Sequence, residues 1–536
     1  TKLGKFMDRF MKWLADSYRK SLDFILGKPK TVLIIAVLFF ISSLAVAKFL
    51  KKEFVPAQDQ GRFLARMTLP LGSSLEKTDG IFKEAEKLLM QRKEVETYFA
   101  VVGSFSGAQV NQGFIFITMK PKKERPLVNG KYETQQEFMQ IVRKELSAIK
   151  GVDRASIQDP SLAGFTAQRG YPVEFTIRGP DWEKLGSFSQ EIMQRMKVSG
   201  IITDADTDYQ LGMPELQVFP DRQKAAQHGV SVHSIADTIN AMVGGVRNGK
   251  FTSRGKRYDI RVRLAEPDRS NTKDVQRMWV RNQFGEVVPL SAVVTANLKP
   301  SLFSITRKNR ERAVSIYANP AVGHSQQEAL EAVSKISKEV LPADYRIVFS
   351  GGSQAFKESF QGLIFALILG IFVAYMVLGT QFNSFIHPFT VLLALPFSVT
   401  GAFLLLFLTH NSLNLYSMIG LILLMGIVKK NSILLVDFTN ERRRQGMGVR
   451  EALLDACPIR LRPILMTSVA MVAAAAPGAL AIGPGSEVIV PMAVAVIGGV
   501  TLSTVLTLFV VPCAYEVFSK LERQSYNTEE KKEVKT

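Results

Sequence analysis

Six stretches of this chain are apolar for long enough to cross a bilayer: 31–49 (TVLIIAVLFFISSLAVAKF), 360–379, 386–409, 414–438, 464–482 and 488–515. A transmembrane helix needs about 20 mostly apolar residues, and inside hydrocarbon it must satisfy its own backbone hydrogen bonds. The feature therefore predicts six membrane helices, one near the start and five in the last third. The long polar region 53–357 lies between them. Short basic flanks set orientation. Residues 1–30 carry eight Lys/Arg, and 439–463 carries Arg442, Arg443, Arg444, Arg450, Arg460 and Arg462. The connections 410–413 (HNSL) and 483–487 (GPGSE) carry none. Both termini and 439–463 are expected inside, and 53–357 outside, which in a bacterium is the periplasm.

The chain carries 67 basic and 48 acidic side chains, a net charge of +19. The basic residues cluster beside apolar runs, with no basic stretch interleaved with aromatics, so a nucleic-acid partner is not expected. Cys457 and Cys513 are not placed to pair, and His228 and His233 lack a ligand pattern, so neither disulfide nor metal site is expected. In residues 1–30, Phe6, Phe10, Trp13, Leu14, Leu22 and Ile25 recur at helical spacing among charges. They predict an amphipathic helix on the inner membrane face rather than a signal peptide. The chain opens on Thr1, as a processed protein or a piece of a longer one would.

In the outer region, strand patterns at 62–70, 95–102 and 112–120 alternate with helical patterns at 74–92 and 134–149. This is the order of a ferredoxin-like split motif. A second copy starts at 172–178, with a helix at 181–197 and a strand near 201–208. It resumes at 312–318, 325–340 and 345–350. Residues 213–310, rich in alternating strands such as 257–264 and 277–281, read as an insertion into that copy.

The stretch "LMGIVKKNSILLVDF" (424–438) sets Lys429 and Lys430 inside a membrane span. A charge at the bilayer centre costs about 2.5–3.5 kcal/mol on insertion scales. Lys430 lies eight residues before Phe438, roughly 12 Å along the axis, which is far for a lysine stem to snorkel. It shares a face with Gly426 and Asp437, whereas Lys429 shares one with Ile422, Met425 and Val436. This predicts that Lys430 points into a bundle and pairs with a carboxylate. No span of this chain holds an Asp or Glu at mid-membrane depth, so the acid must come from elsewhere.

"GIVKKNSILLVDF" (426–438), "YMVLGTQFNSFIHPFTVLLALPFSVTGA" (375–402), "RLRPILMTSVA" (460–470) and "EFVPAQDQGRF" (53–63) resemble the resistance–nodulation–division (RND) pumps, hydrophobe/amphiphile efflux branch, in their C-terminal half. The resemblance implies an α+β membrane protein: a cytoplasmic helix (1–30), a first membrane helix (31–50), a porter subdomain (51–160), a second porter subdomain (161–212 with 311–352), a docking subdomain (213–310), five membrane helices (353–518) and a cytoplasmic tail (519–536). It implies proton-driven efflux from the periplasm or inner membrane, and no enzymatic activity or cofactor. It also implies a homotrimer of full units, an N-terminal half carrying intramembrane acids, a periplasmic adaptor, an outer-membrane channel and small amphiphilic substrates. The relay residues fall on Lys430, Thr467, Arg460 and Asn431, and the drug-contacting positions on Phe105, Phe116, Tyr171, Val173, Phe175 and Arg66. Plainer readings stand beside these. Thr467 can bond back to the carbonyl four residues earlier, Arg460 can be a positive-inside residue, and the aromatics can be sheet core. Alternatives are a metal exporter, for which Met67 and Met119 lack a third partner, a lipid exporter, or a non-transporting periplasmic scaffold.

Overall fold

The computed structural model describes residues 2–103, 109–128, 130–159, 171–481, 483 and 485–521. Six helices are long and apolar enough to cross a membrane: Pro29–Phe49, Gly351–Phe382, His387–Leu408, Leu415–Arg444, Val449–Ala479 and Ser486–Phe518. Two overrun the expected spans on the basic side. The fourth continues to Arg444 and the fifth already starts at Val449, so the expected 439–463 connection shrinks to the turn 445–448. The helix Lys2–Leu26 precedes them, with Tyr18, Leu22 and Leu26 buried against Leu453, Cys457, Leu508 and Val511. The Tyr18 hydroxyl donates to the Leu508 carbonyl at 2.6 Å.

The third and sixth spans cross at two glycines. A Cβ on Gly401 would meet the Gly498 carbonyl oxygen at 2.3 Å, and a Cβ on Gly498 would meet that of Gly401 at 2.4 Å. Only hydrogen side chains let the backbones approach so closely.

The first sheet has strand order Val95–Val102, Gln112–Met119, Arg62–Thr68, Arg154–Gln158, all antiparallel. Helices Leu75–Met90 and Gln135–Ala148 cover one face and bury Phe63, Ala65, Met67, Ile115, Ile117 and Phe138. Both helices start where the sequence caps them: Ser74 accepts from Lys77 N, and Thr134 and Glu137 form a capping box. The second sheet repeats the order with Ile202–Thr207, Glu311–Pro320, Val173–Arg178 and Arg346–Phe349, covered by helices Trp182–Ser199 and Gln326–Val340. Strands Leu211–Pro220 and Val294–Leu302 pair as a stem that leads out of this sheet. Beyond it lie a small core around Ile235, Leu290 and Val293 and a hairpin, Val246–Ser253 with Lys256–Val262, that is exposed over nearly its whole length.

The helix ends sort into two sets. Lys52 bridges to Leu413, Glu53 bonds Ser412, and a Cβ on Gly485 would lie 3.7 Å from Gln58 and Gln60. The short connections that carry no Lys or Arg therefore share the end that carries the sheets. At the other end Arg450 pairs with Asp23 at 2.9 Å, and Arg443 donates to the Tyr515 hydroxyl at 2.9 Å. The charge asymmetry in the sequence coincides with this geometric one.

Candidate functional site

The helix Leu415–Arg444 opens on Asn414, whose side chain accepts from the backbone of Tyr416 and Ser417 at 3.0 Å. One side of this helix is packed: Leu421, Leu424, Val428, Asn431, Ser432, Leu435 and Thr439 are buried. The other side carries Ile419, Leu423, Gly426, Lys430 and Asp437, all exposed. Steps of three, four and seven put these on a single stripe. Lys430 thus points out of the six-helix unit that this chain forms, and Lys429 is the more covered of the two. The outward direction has a plain cause. The packed faces of the fifth and sixth spans claim the Asn431 side, and Lys430 lies roughly 100° around the axis from it. Among the described residues no carboxylate stands within ion-pair distance of Lys430.

The other three relay positions are not gathered around it. Asn431 is buried, and its amide donates to Ser468 Oγ at 3.4 Å. Ser468 in turn shares a 2.8 Å bond with Thr504, linking the fourth, fifth and sixth spans. Asn431 Oδ1 and Ser432 Oγ are buried without a partner beside it. Thr467 bonds back to the carbonyl of Ile464 at 3.0 Å, three residues earlier rather than four. The Arg460 guanidinium stacks on the Phe438 ring at 4.2 Å, near the basic end. Ser468 and Thr504 escaped the sequence reading, since isolated hydroxyls in apolar runs carry no periodic signal.

Between the sheets, Arg66 lies over the Phe114 ring at 4.8 Å and 3.9 Å from Asp206, which Arg154 also binds. Arg143 meets Asp204 at 2.6 Å, and Tyr171 donates to Ser156 at 3.1 Å. These contacts form a polar seam joining the first sheet to strand Ile202–Thr207. Burial pushes the Asp204 carboxyl above its ordinary range, against the pull of Arg143 and Asn319. Arg66 is mostly covered in this seam rather than standing free on a wall. Phe116 is exposed on the open face of the first sheet, 6.2 Å from the Phe99 ring. Val173 and Phe175 are fully enclosed in the helix-covered core of the second sheet and Tyr171 is fully buried, so in this conformation these three offer no surface to a ligand. In this strand Val173, Phe175 and Ile177 alternate with Glu174, Thr176 and Arg178, so the alternation itself turns Val173 and Phe175 to the helix-covered side. Phe105 lies outside the described residues.

A cavity of about 650 Å³ opens where the second sheet meets the spans. Leu330, Phe356, Phe360, Ile364, Phe403 and Met418 line it, with Lys52, Lys357 and Glu331 also on its wall. An apolar slot with a few charges suits an amphiphile.

The sequence model of the AcrB/AcrD/AcrF family matches residues 2–519. The chain belongs to this family. It is 29% identical over 522 residues to multidrug resistance protein MdtC of Escherichia coli O81 (strain ED1a), covering 96% of this chain and 49% of that protein. The MdtC of Cronobacter sakazakii (strain ATCC BAA-894) is 28% identical over 522 residues, with the same coverage. The chain thus spans about half the length of these curated relatives. Its fold is similar to the crystal structure of a heavy metal efflux pump, with a TM-score of 0.84 and 24% identity, covering 95% of this chain and 53% of that one. The family is one of RND efflux transporters, and the six apolar helices with two repeated sheets are its fold in this chain.

Proposed function

We propose that this chain is the lysine-bearing, C-terminal half of a proton-driven RND efflux pump in a bacterial inner membrane, with its sheets in the periplasm. The observation that carries the reading is Lys430. It stands at mid-span on the outward stripe of its helix, beside Gly426, with no acid among the described residues within ion-pair distance of it. A glycine lowers the surface next to the cation so that another helix can approach. A second, homologous half supplies the carboxylates there. When these are ionised they hold Lys430. When periplasmic protons neutralise them the charge-assisted bonds are redistributed, the helices shift, and the sheets open and close around cargo. Three such paired units form the working pump, with a periplasmic adaptor and an outer-membrane channel.

Asn431, through Ser468 and Thr504, keeps the fourth, fifth and sixth spans moving as one body, a positioning role. The cargo is drug-like and amphiphilic: the apolar cavity at the sheet–span junction and the Phe99–Phe116 face both favour it. A metal cargo is disfavoured because Met67 and Met119 are core residues of the first sheet. The test is efflux in liposomes under a pH gradient. No transport is expected from this chain alone, and transport that Lys430→Met abolishes is expected when a homologous acid-bearing half is present. Robust proton-coupled efflux by this chain alone would refute the reading.

A further inference from the structure

At the end of the second sheet farthest from the spans lies a second cavity, of about 570 Å³. Five arginines line it, Arg178, Arg307, Arg310, Arg312 and Arg346, against two carboxylates, Glu311 and Asp344. Its floor is made by Gly179, over which the Tyr345 ring lies so closely that a Cβ would come within 2.1 Å of it. Both Glu311 oxygens accept from Arg346 at 2.7 Å, and Arg178 lies 3.6 Å from the same carboxylate. Arg312 donates to the Pro180 carbonyl. Arg307 and Arg310 have no acidic partner among the described residues.

Three local features here work against stability. Arg178 stands directly opposite Arg346 across one strand pair, and Arg307 opposite Arg312 across another, and like charges in such positions repel. The turn between Lys308 and Glu311 holds both Asn309 and Arg310 in left-handed backbone, φ 53° and 66°. At its second position glycine is the usual residue, and this chain places an arginine there. Arg178 Nε, on a side chain 12% exposed, is buried with no hydrogen-bond partner. Strain, repulsion and an unmet donor converge on one cavity, and an anion in it relieves the last two.

We propose that this cavity binds a small polyanion carrying two or more adjacent oxyanion groups. Guanidinium forks match phosphate and carboxylate oxygens in pairs, and a ring of them around a concave floor favours a compact, multiply charged ligand over a single chloride. A cavity of this volume holds a small molecule rather than an extended acidic chain. A bilayer headgroup is not the source. Pro172, at the other end of the central strand, is bonded to Ser353 in the first turn of the second span, and Arg178 lies roughly 20 Å up the strand from it. The site is independent of proton coupling and of the cargo path proposed above.

The test is calorimetric titration of the full chain, in nanodiscs of zwitterionic lipid, with inorganic pyrophosphate and with citrate at low and high salt. Saturable binding of either at one per chain, weakened by salt, is expected; which one binds tells phosphate from carboxylate chemistry. Arg310→Gly removes a charge while relieving the backbone, so it should keep or raise the melting temperature and still weaken binding at least about tenfold, as loss of one charge-assisted fork does. Arg307→Ala should act likewise, and Arg257→Ala on the exposed hairpin should change nothing. The absence of saturable binding, equal binding by the Arg307→Ala/Arg310→Gly double variant, or binding of an acidic hexapeptide without pyrophosphate or citrate would each overturn the proposal.

Discussion

Replacing Lys430 by leucine should have opposite effects on stability and on function. In this chain alone the side chain sits on the outward stripe of a membrane helix, roughly 12 Å from the basic end at Phe438, with no acid among the described residues within ion-pair distance. A lysine stem of roughly 6 Å covers about half that distance, so part of the insertion cost of about 2.5–3.5 kcal/mol remains. Lys430→Leu should therefore stabilise the isolated chain in a bilayer by about 1–3 kcal/mol, because it deletes an uncompensated charge from a lipid-facing position. In the assembled pump proposed above the same substitution would remove one member of a buried pair, and would leave the partner's acids unpaired at a cost of about 3–5 kcal/mol. Transport should be lost. The measurement is reversible unfolding of the isolated chain in bilayer nanodiscs, run beside efflux by the assembled pump. If Lys430→Leu destabilises the isolated chain, then an acceptor for this lysine exists within the six helices and the reasoning above is wrong.

The geometry carries further outcomes. A cysteine at Gly485 should be labelled from the outside and one at Met447, exposed in the 445–448 turn, only from the inside, with little background because Cys457 and Cys513 are fully buried; the reverse pattern would invert the topology. Arg125 binds the Asp59 carboxylate through two bonds of 2.7 and 2.9 Å, both side chains nearly inaccessible, and Arg125→Met should cost about 3–5 kcal/mol, read as faster amide exchange in strand Arg62–Thr68. Burial opposes ionisation of Asp59, but the bonds from Arg125 and the Gln135 backbone outweigh it and hold its pKa below the ordinary 3.8. The stability it contributes is thus present above that value and is lost as pH falls through the folded pKa, so the strand should stay protected at neutral pH and lose protection below about pH 4. Arg66→Met should change which compounds are exported without abolishing export, since Arg154 still holds Asp206; an identical resistance profile across anionic, neutral and cationic compounds would make Arg66 a purely structural member of the seam. Gly498→Val should prevent close approach of the third and sixth spans and lower the melting temperature sharply, because its Cβ has no room beside the Gly401 carbonyl; a wild-type melting curve would contradict the packing.

Much of this architecture is determined by the sequence alone, because the signals are local. Hydrocarbon forces about 20 apolar residues into each span, charge asymmetry sets the ends, and strand and helix periods mark both repeats of the outer region. The misplaced lysine and the missing acid are also composition facts, readable without coordinates. Direction around a helix is another matter. In the helix Leu415–Arg444 the polar residues Lys429, Lys430, Asn431 and Ser432 follow one another and so point in different directions around the axis; periodicity offers no preferred face, and only the packing of the fifth and sixth spans decides that Asn431 turns in and Lys430 out. Val173 and Phe175 are the opposite case: the strand alternates Val173, Phe175 and Ile177 with Glu174, Thr176 and Arg178, so its period already marks these residues as core, and it is the drug-contacting role implied by resemblance that the covering helices leave no surface for. The arginine cavity is assembled from residues 178, 307–312 and 346, distant in the chain and each ordinary by itself. Their mutual repulsion exists only once the second sheet sets its strands in register, since a Coulomb interaction depends on separation in space and not on order along the chain.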